Sequence, residues 1–297
     1  MLNLDDLRRR LATPLDTQPG PPATAGQVLW HAMVAAGHTP AVHDRSAGRA
    51  ITLDLPDNTG IWITEQADIT HPPDDHESWT AIHLYDPNEP GAYHLIYEGA
   101  DRRGLTADTA ACVKAITAWT AAHTATGAVA RHNAHLALPR TTPRNARRAT
   151  WQLSYGHPGY NGIRPATPTG RHTATRLDRW PDDRGERRGA CLACPWEGPI
   201  RRRHNHAIED ALDHTHPGWR DLPVLPQTAT RKSGAQLRAH RDATYPSGWF
   251  DNGGPSKVLT TTANDRHEAG KAPGGGYLVK VHQPRRPEDT PQQLSLL

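Results

Sequence analysis

Apolar positions along this chain keep two regular rhythms up to about residue 128 and lose both beyond it. Thr24 is a helix N-cap residue type. After it Val28, Leu29, Ala32, Met33 and Ala36 recur on one helical face, and Gly37 is placed to stop the helix. Period two follows. Ile51, Leu53 and Leu55 alternate with polar residues, residues 56–60 read as a turn, and Ile61, Trp62 and Ile63 return. A polar loop over 68–78 leads to a second hairpin, 79–85 with 93–98, turned by Asp86-Pro87-Asn88-Glu89-Pro90-Gly91. Cys112, Val113, Ile116, Trp119 and Thr120 then mark the buried stripe of a helix over about 106–123, with Cys112 a small core residue. Helix, two antiparallel hairpins and helix predict a small α+β domain over 23–128, its helices covering one sheet face. His83 and His94 are expected on the outer face. Residues 1–22 read as a flexible N-terminus, with Leu4, Leu7 and Leu11 on one face of a short helix before a Pro-rich linker.

Beyond this domain the pattern breaks. Pro139, Pro143, Pro158, Pro165, Pro168 and Pro181 interrupt any helix, so residues 129–184 read as an irregular arm with one short strand at 151–155. A compact motif occupies 185–225. Cys191 and Cys194 stand two residues apart, a turn follows over 195–199, and Arg201, Arg202 and Arg203 precede a short helix. Ala207, Ile208, Ala211 and Leu212 give that helix its apolar face, and His214 and His216 sit at its end before Pro217 and Gly218. Residues 226–282 are irregular apart from a basic helix near 231–240 and a last strand at 278–282. Residues 283–297 form an extended tail.

A CxxC knuckle followed by a helix that returns histidines has the spacing of a zinc module. The segment is too short and polar to bury a core of its own, and a tetrahedral ion supplies the folding energy it lacks. One structural zinc per chain is expected on Cys191, Cys194, His214 and His216, with His206 and Asp210 as alternatives for the fourth ligand. A redox pair usually sits between a strand and a helix, whereas Pro195 and Gly198 here hold a turn. A zinc deaminase needs H-x-E upstream of P-C-x-x-C, and Ala190 precedes Cys191.

Composition fits one modest core, one small module and much irregular chain. Leu, Ile, Val and Phe account for only 45 of 297 residues, below the usual level of a fully folded globular chain. Three cysteines, two of them in CxxC, make no disulfide framework and point to a reducing, cytoplasmic setting. No apolar run is long enough to span a membrane.

The net charge of +3 hides an asymmetry. Residues 1–130 hold 8 Lys or Arg against 16 Asp or Glu, while residues 131–205 hold 15 against 5, every cation there an arginine. Such a block predicts an anionic partner, nucleic acid and DNA first. The candidate contacts are Arg164, Arg171, Arg176, Arg179, Arg187, Arg188, Arg201, Arg202 and Arg203, interleaved with Tyr155, Tyr160 and Trp180 for stacking on bases. Folding of this arm onto the acidic domain is the competing expectation. In the loop at 68–78, His71 and His76 with Asp74, Asp75 and Glu77 form a possible metal or catalytic cluster that a solvated acidic loop explains equally well.

Two resemblances add to this reading. Cys191-Leu192-Ala193-Cys194-Pro195-Trp196-Glu197-Gly198, Glu209-Asp210-Ala211, Asp213-His214, Pro217-Gly218-Trp219-Arg220, Tyr245-Pro246-Ser247-Gly248-Trp249 and Gly275-Gly276-Tyr277 resemble an uncharacterised actinobacterial family common on plasmids and integrative elements. That likeness covers about 151–277 and implies a mobile-element setting without an activity. Gln293, Leu294, Ser295, Leu296 and Leu297 resemble the pentapeptide by which bacterial replication and repair proteins dock on the sliding clamp, with Leu297 in place of the usual Phe. The leading expectation is a non-enzymatic, DNA-associated accessory protein. The alternatives are a zinc hydrolase or nuclease with Glu197 or Glu209 as base, and an immunity or antitoxin module that binds a basic protein through its acidic domain.

Overall fold

A computed structural model describes residues 24–45, 48–65, 68–84, 93–100, 104–154, 165–168, 171–179, 185–226, 234–260 and 276–282. The chain divides into two compact units: Met1–Thr124 with Ala137–Thr150, and Ala125–Leu136 with Trp151–Leu297. Both combine helices with small sheets, an α+β architecture.

In the first unit, α1 (Ala25–Ala35) begins in a capping box: Thr24 accepts from the Gln27 backbone while the Gln27 side chain accepts from the Thr24 backbone. β1 (Ala41–Arg45), β2 (Gly48–Asp54), β3 (Gly60–Thr64), β4 (Thr80–Leu84) and β5 (Tyr93–Glu98) make one antiparallel meander in chain order. The two expected hairpins are its four later strands, and β1 adds an edge strand. Ile51 pairs with Ile63 and Leu53 with Ile61, so the alternating apolar residues share one buried face. The long helix α2 (Leu105–Thr124) brings Cys112, Ile116 and Trp119 into that core beside Leu29 and Met33 of α1. His83 departs from expectation. Ala81 and His83 form the inward phase of β4, in step with Trp79 just before it, and Ile82 points the other way, half-buried. The His83 ring lies 4.7 Å from that of Trp119 and its Nε2 is 2.8 Å from Thr59 Oγ1.

The second unit draws on the stretch read as an arm. α3 (Ala128–Leu136), β6 (Trp151–Leu153) and β7 (Ala174–Arg179) come from it, and β7 pairs antiparallel with β8 (Arg187–Cys191). α4 (Arg144–Arg148) belongs to the first unit. One face of the β6-β7-β8 sheet gathers Trp151, Leu153, Leu177, Ala190 and Leu192 with Ala128 of α3. On the other face lies α5 (His204–Thr215), where Ala174 meets Ile208, Ala211, Leu212 and Trp219. Gly189 permits that approach: a Cβ there would stand 2.2 Å from the Ala207 carbonyl oxygen. A second small sheet, with β9 (Val224–Leu225) parallel to β10 (Ser256–Thr260) and β11 (Gly276–Lys280) antiparallel to it, joins α6 (Gly234–Thr244). Tyr245 and Phe250 pack with Leu225 and Val258, and the Tyr245 hydroxyl donates to the Pro223 carbonyl.

Candidate metal centre

The hairpin of β7 and β8 sets the site. Ala174 pairs with Cys191, which places His172, just before β7, beside the knuckle that follows β8. Cys191 ends its strand on the face that α5 covers, Cys194 stands in the knuckle, and His214 is the penultimate residue of α5. One ligand atom from each of His172, Cys191, Cys194 and His214 lies within 4.8 Å of the others. His172 Nδ1 is 3.3 Å from His214 Nε2 and 3.5 Å from Cys191 Sγ. Cys194 Sγ is 3.3 Å from His214 Nε2 and 3.9 Å from His172 Nδ1. Tetrahedral zinc, with bonds of about 2.0–2.1 Å to nitrogen and about 2.3 Å to sulfur, requires about 3.4 Å between nitrogens and about 3.6 Å between nitrogen and sulfur. These four separations are close to those of such a site, and no two of the ligand atoms are more than 4.8 Å apart.

Local bonds hold them there. The Cys191 N–H donates to the Trp196 carbonyl at 3.3 Å, and the Ala193 N–H points at Cys191 Sγ at 3.4 Å. The Trp196 ring stacks on His214 with centroids 4.4 Å apart and planes 1° from parallel. Burial, together with the neighbouring His172, lowers the His214 pKa and favours the neutral ring that binds metal. Burial and the adjacent Cys191 push the Cys194 thiol up, a crowding that a bound cation relieves.

The fourth member of the group is His172, not His216. His216 is buried away from it, with Nδ1 2.8 Å from Thr215 Oγ1 and Nε2 3.1 Å from the Asn252 carbonyl oxygen. Asp210 is also committed, since both its oxygens accept from Arg201 at 2.7 and 2.9 Å. His206 lies outside the group as well. The signal for His172 was the alternation of Thr173, Thr175 and Leu177 ahead of the CxxC, a strand whose pairing returns residue 172 to the knuckle.

The arginines divide. Arg176 pairs with Asp178, Arg179 with Glu186, Arg188 with Glu197 and Arg201 with Asp210. Arg187 donates to the carbonyls of Gly185 and Arg202, and Arg171 to that of Asp251. Arg202 and Arg203 are exposed, and no side-chain partner among the described residues engages them. Arg164 and the tail residues Gln293, Leu294, Ser295, Leu296 and Leu297 lie outside the described residues. So do Tyr155, Tyr160 and Trp180. Glu197 is a structural hub: Oε1 accepts from Arg131 at 2.6 Å and the Gly127 N–H at 2.7 Å, and Oε2 from Arg188 at 2.9 Å. Burial opposes its charge, but these donors outweigh it and hold the carboxyl below its ordinary value. Glu209 accepts from Arg220 at 3.2 Å.

No helix among the described residues is long and apolar enough to cross a membrane. Neither the curated proteins nor the solved structures contain a match to the chain. The sequence profile of one family, described as a family of unknown function (DUF6349), matches residues 127–289, which take in α3, the whole metal-ligand set and the second small sheet. With more than half its length covered by that match, the chain belongs to the DUF6349 family.

Proposed function

We propose that the Cys-His group is a structural zinc centre in a non-enzymatic protein that binds nucleic acid, DNA first. The observation that carries this reading is the closed set of four protein ligands at tetrahedral spacing. Structural zinc sites are closed in this way, whereas catalytic ones keep a position for water. The engagement of Glu197 by Arg131, Arg188 and the Gly127 N–H, and of one Glu209 oxygen by Arg220, favours this reading over the hydrolase alternative, in which one of these carboxylates would serve as base. Reduced cysteine ligands fit a cytoplasmic setting, and the mobile-element setting rests on the sequence resemblance alone.

The nucleic-acid surface is narrower than the charge count implies. Five of the candidate arginines, Arg176, Arg179, Arg187, Arg188 and Arg201, pair with nearby carboxylates, so Arg202 and Arg203, at the start of α5, are the principal phosphate contacts. Neutralising phosphates releases counterions, so affinity falls steeply with salt. Binding of unrelated single- and double-stranded oligonucleotides to the full chain across a salt series tests this. The Arg202→Ala, Arg203→Ala variant is expected to flatten the log–log slope by about 2, and no binding at low salt, or an unchanged slope, overturns the assignment.

The tail motif adds a second contact. Leu294, Leu296 and Leu297 are suited to an apolar pocket on the sliding clamp, at an affinity on the order of micromolar, roughly −8 kcal/mol. Titration of purified clamp with a peptide covering residues 288–297 should saturate near that concentration. The Leu296→Ala, Leu297→Ala peptide should not; equal signals from both peptides would end the idea.

A further inference from the structure

The polar loop of the first unit holds a second group of ligand types. His71 and His76 flank a tight turn at Pro73–Asp75, and both rings turn toward Glu65, just past the end of β3. Glu65 Oε2 is 2.6 Å from His71 Nε2 and 3.1 Å from His76 Nδ1. The sequence neighbours Asp74, Asp75 and Glu77 stay exposed instead.

Each of the three residues is oriented by a partner behind it. His71 Nδ1 lies 2.8 Å from the Pro72 carbonyl oxygen. A carbonyl only accepts, so that nitrogen carries hydrogen and Nε2 faces Glu65. His76 Nε2 lies 3.1 Å from Asp108 Oδ2, and Asp108 is fully buried and anchored by the Trp79 N–H at 2.7 Å and the Tyr97 hydroxyl at 2.5 Å. Glu65 Oε1 accepts from the Glu77 N–H at 2.5 Å. Metal-binding imidazoles are held in this manner, the outer nitrogen donating to a carbonyl or carboxylate while the inner one faces the ion. Three side chains thus have their outer atoms fixed and their inner atoms, His71 Nε2, His76 Nδ1 and Glu65 Oε2, converging on one point.

We propose that Glu65, His71 and His76 form a second metal site, which takes a first-row divalent cation, zinc first. Two imidazoles and one carboxylate are a borderline donor set of that preference. Three protein ligands leave at least one position for water or a small ligand, unlike the closed Cys-His centre. The side chains of Glu65 and His76 are 2 % and 1 % exposed and that of His71 is 15 %, so an ion enters past His71, where the exposed Asp74 and Asp75 raise the local cation concentration. Zinc–nitrogen and zinc–oxygen bonds require ligand atoms about 3.0–3.4 Å apart, so the Glu65 carboxylate withdraws by about half an ångström from His71 as the ion enters.

The full-length chain, stripped with chelator and reloaded with cobalt(II), provides the test. Two equivalents should bind, one with thiolate-to-cobalt absorption from the Cys-His centre and one with ligand-field bands alone. His71→Ala and, separately, the shape-conserving Glu65→Gln should each bind a single equivalent that keeps the thiolate absorption, with unchanged far-ultraviolet circular dichroism. A wild type that binds only the thiolate-type equivalent overturns the second site. So do two equivalents retained in both variants. A wild type whose single equivalent lacks thiolate absorption and is lost on His71→Ala upholds this site and refutes the Cys-His centre, so the two readings fail separately.

Discussion

The two units reach a folded state by different means. In the first, five consecutive strands present one apolar face to α1 and α2, and Leu29, Met33, Ile51, Ile61, Ile63, Ile96, Ile116 and Trp119 are all fully buried in it. In the second, apolar side chains are scattered over three small clusters, none with more than seven fully buried members. Leu222 and Trp249 pack against both the second and the third of these clusters, while the ties around the β6-β7-β8 sheet are polar: the Cys-His group at the end of β8, the Glu197 hub and the Arg201–Asp210 pair. Where a core is continuous, burial supplies most of the free energy. Where it is divided, a few directional contacts tie the pieces together, and each becomes hard to replace.

The largest effect that separates the units is metal removal. Structural zinc in small modules contributes about 10 kcal/mol or more to folding at neutral pH. Cys191→Ser with Cys194→Ser should abolish the cooperative transition of the second unit and leave that of the first in place, whereas chelation should in addition lower the first transition slightly by emptying the Glu65-His71-His76 site. Calorimetry of the full chain reads both transitions in one scan. A single, unshifted profile after complete chelation would mean that the divided core suffices. The reverse experiment comes next in size. Trp119→Ala removes a fully buried ring whose Nε1 donates to the Ala146 carbonyl at 3.1 Å. It should cost the first unit about 3–5 kcal/mol, with the cobalt spectrum of the Cys-His centre unchanged. A loss of thiolate absorption on this substitution would break the separation.

The same contrast governs what could be read from the sequence. Periodicity reports burial, so four of the five strands and both main helices were legible to within a few residues, down to the Thr24 cap, whereas the edge strand β1 was not. His83 escaped because one polar residue sat in the inward phase of β4, where Trp119 and Thr59 accommodate it. In the second unit the CxxC spacing and the histidine-bearing helix were legible because their ligands are close in sequence. His172 was not: only the antiparallel register of β7 and β8 returns it to the knuckle across 18 intervening residues. The arginine block was visible as charge, but its pairing with Asp178, Glu186, Glu197 and Asp210 depends on strand register and helix placement. Glu65 and Asp108, the partners of His71 and His76, were hidden for the same reason, at separations of 6 and 32 residues.

The smallest of the three effects asks whether directional contacts really replace a core in the second unit. Glu197, just past the knuckle, ties the start of α3 to β8 through Arg131, Arg188 and the Gly127 N–H. Glu197→Gln keeps the shape and removes the charge, and hydrogen bonds to a charged group are each worth about 1.5–3 kcal/mol, so a net loss of about 2 kcal/mol is expected at pH 7. The folded-state pKa of Glu197 is depressed. Its contribution is therefore fully present above the unfolded value of about 4.3 and disappears as pH falls through the lower, folded value. Acid also protonates the metal ligands, but it does so in wild type and variant alike. The informative quantity is the stability difference between the two chains, measured by denaturant titration from pH 7 downwards. That difference should hold near its neutral value to about pH 5 and close below it. A gap that persists into strong acid would assign the loss to shape rather than charge. No gap at pH 7 would show that the apolar clusters around α3 hold without the hub, and the second unit would then resemble the first more closely than its divided core implies.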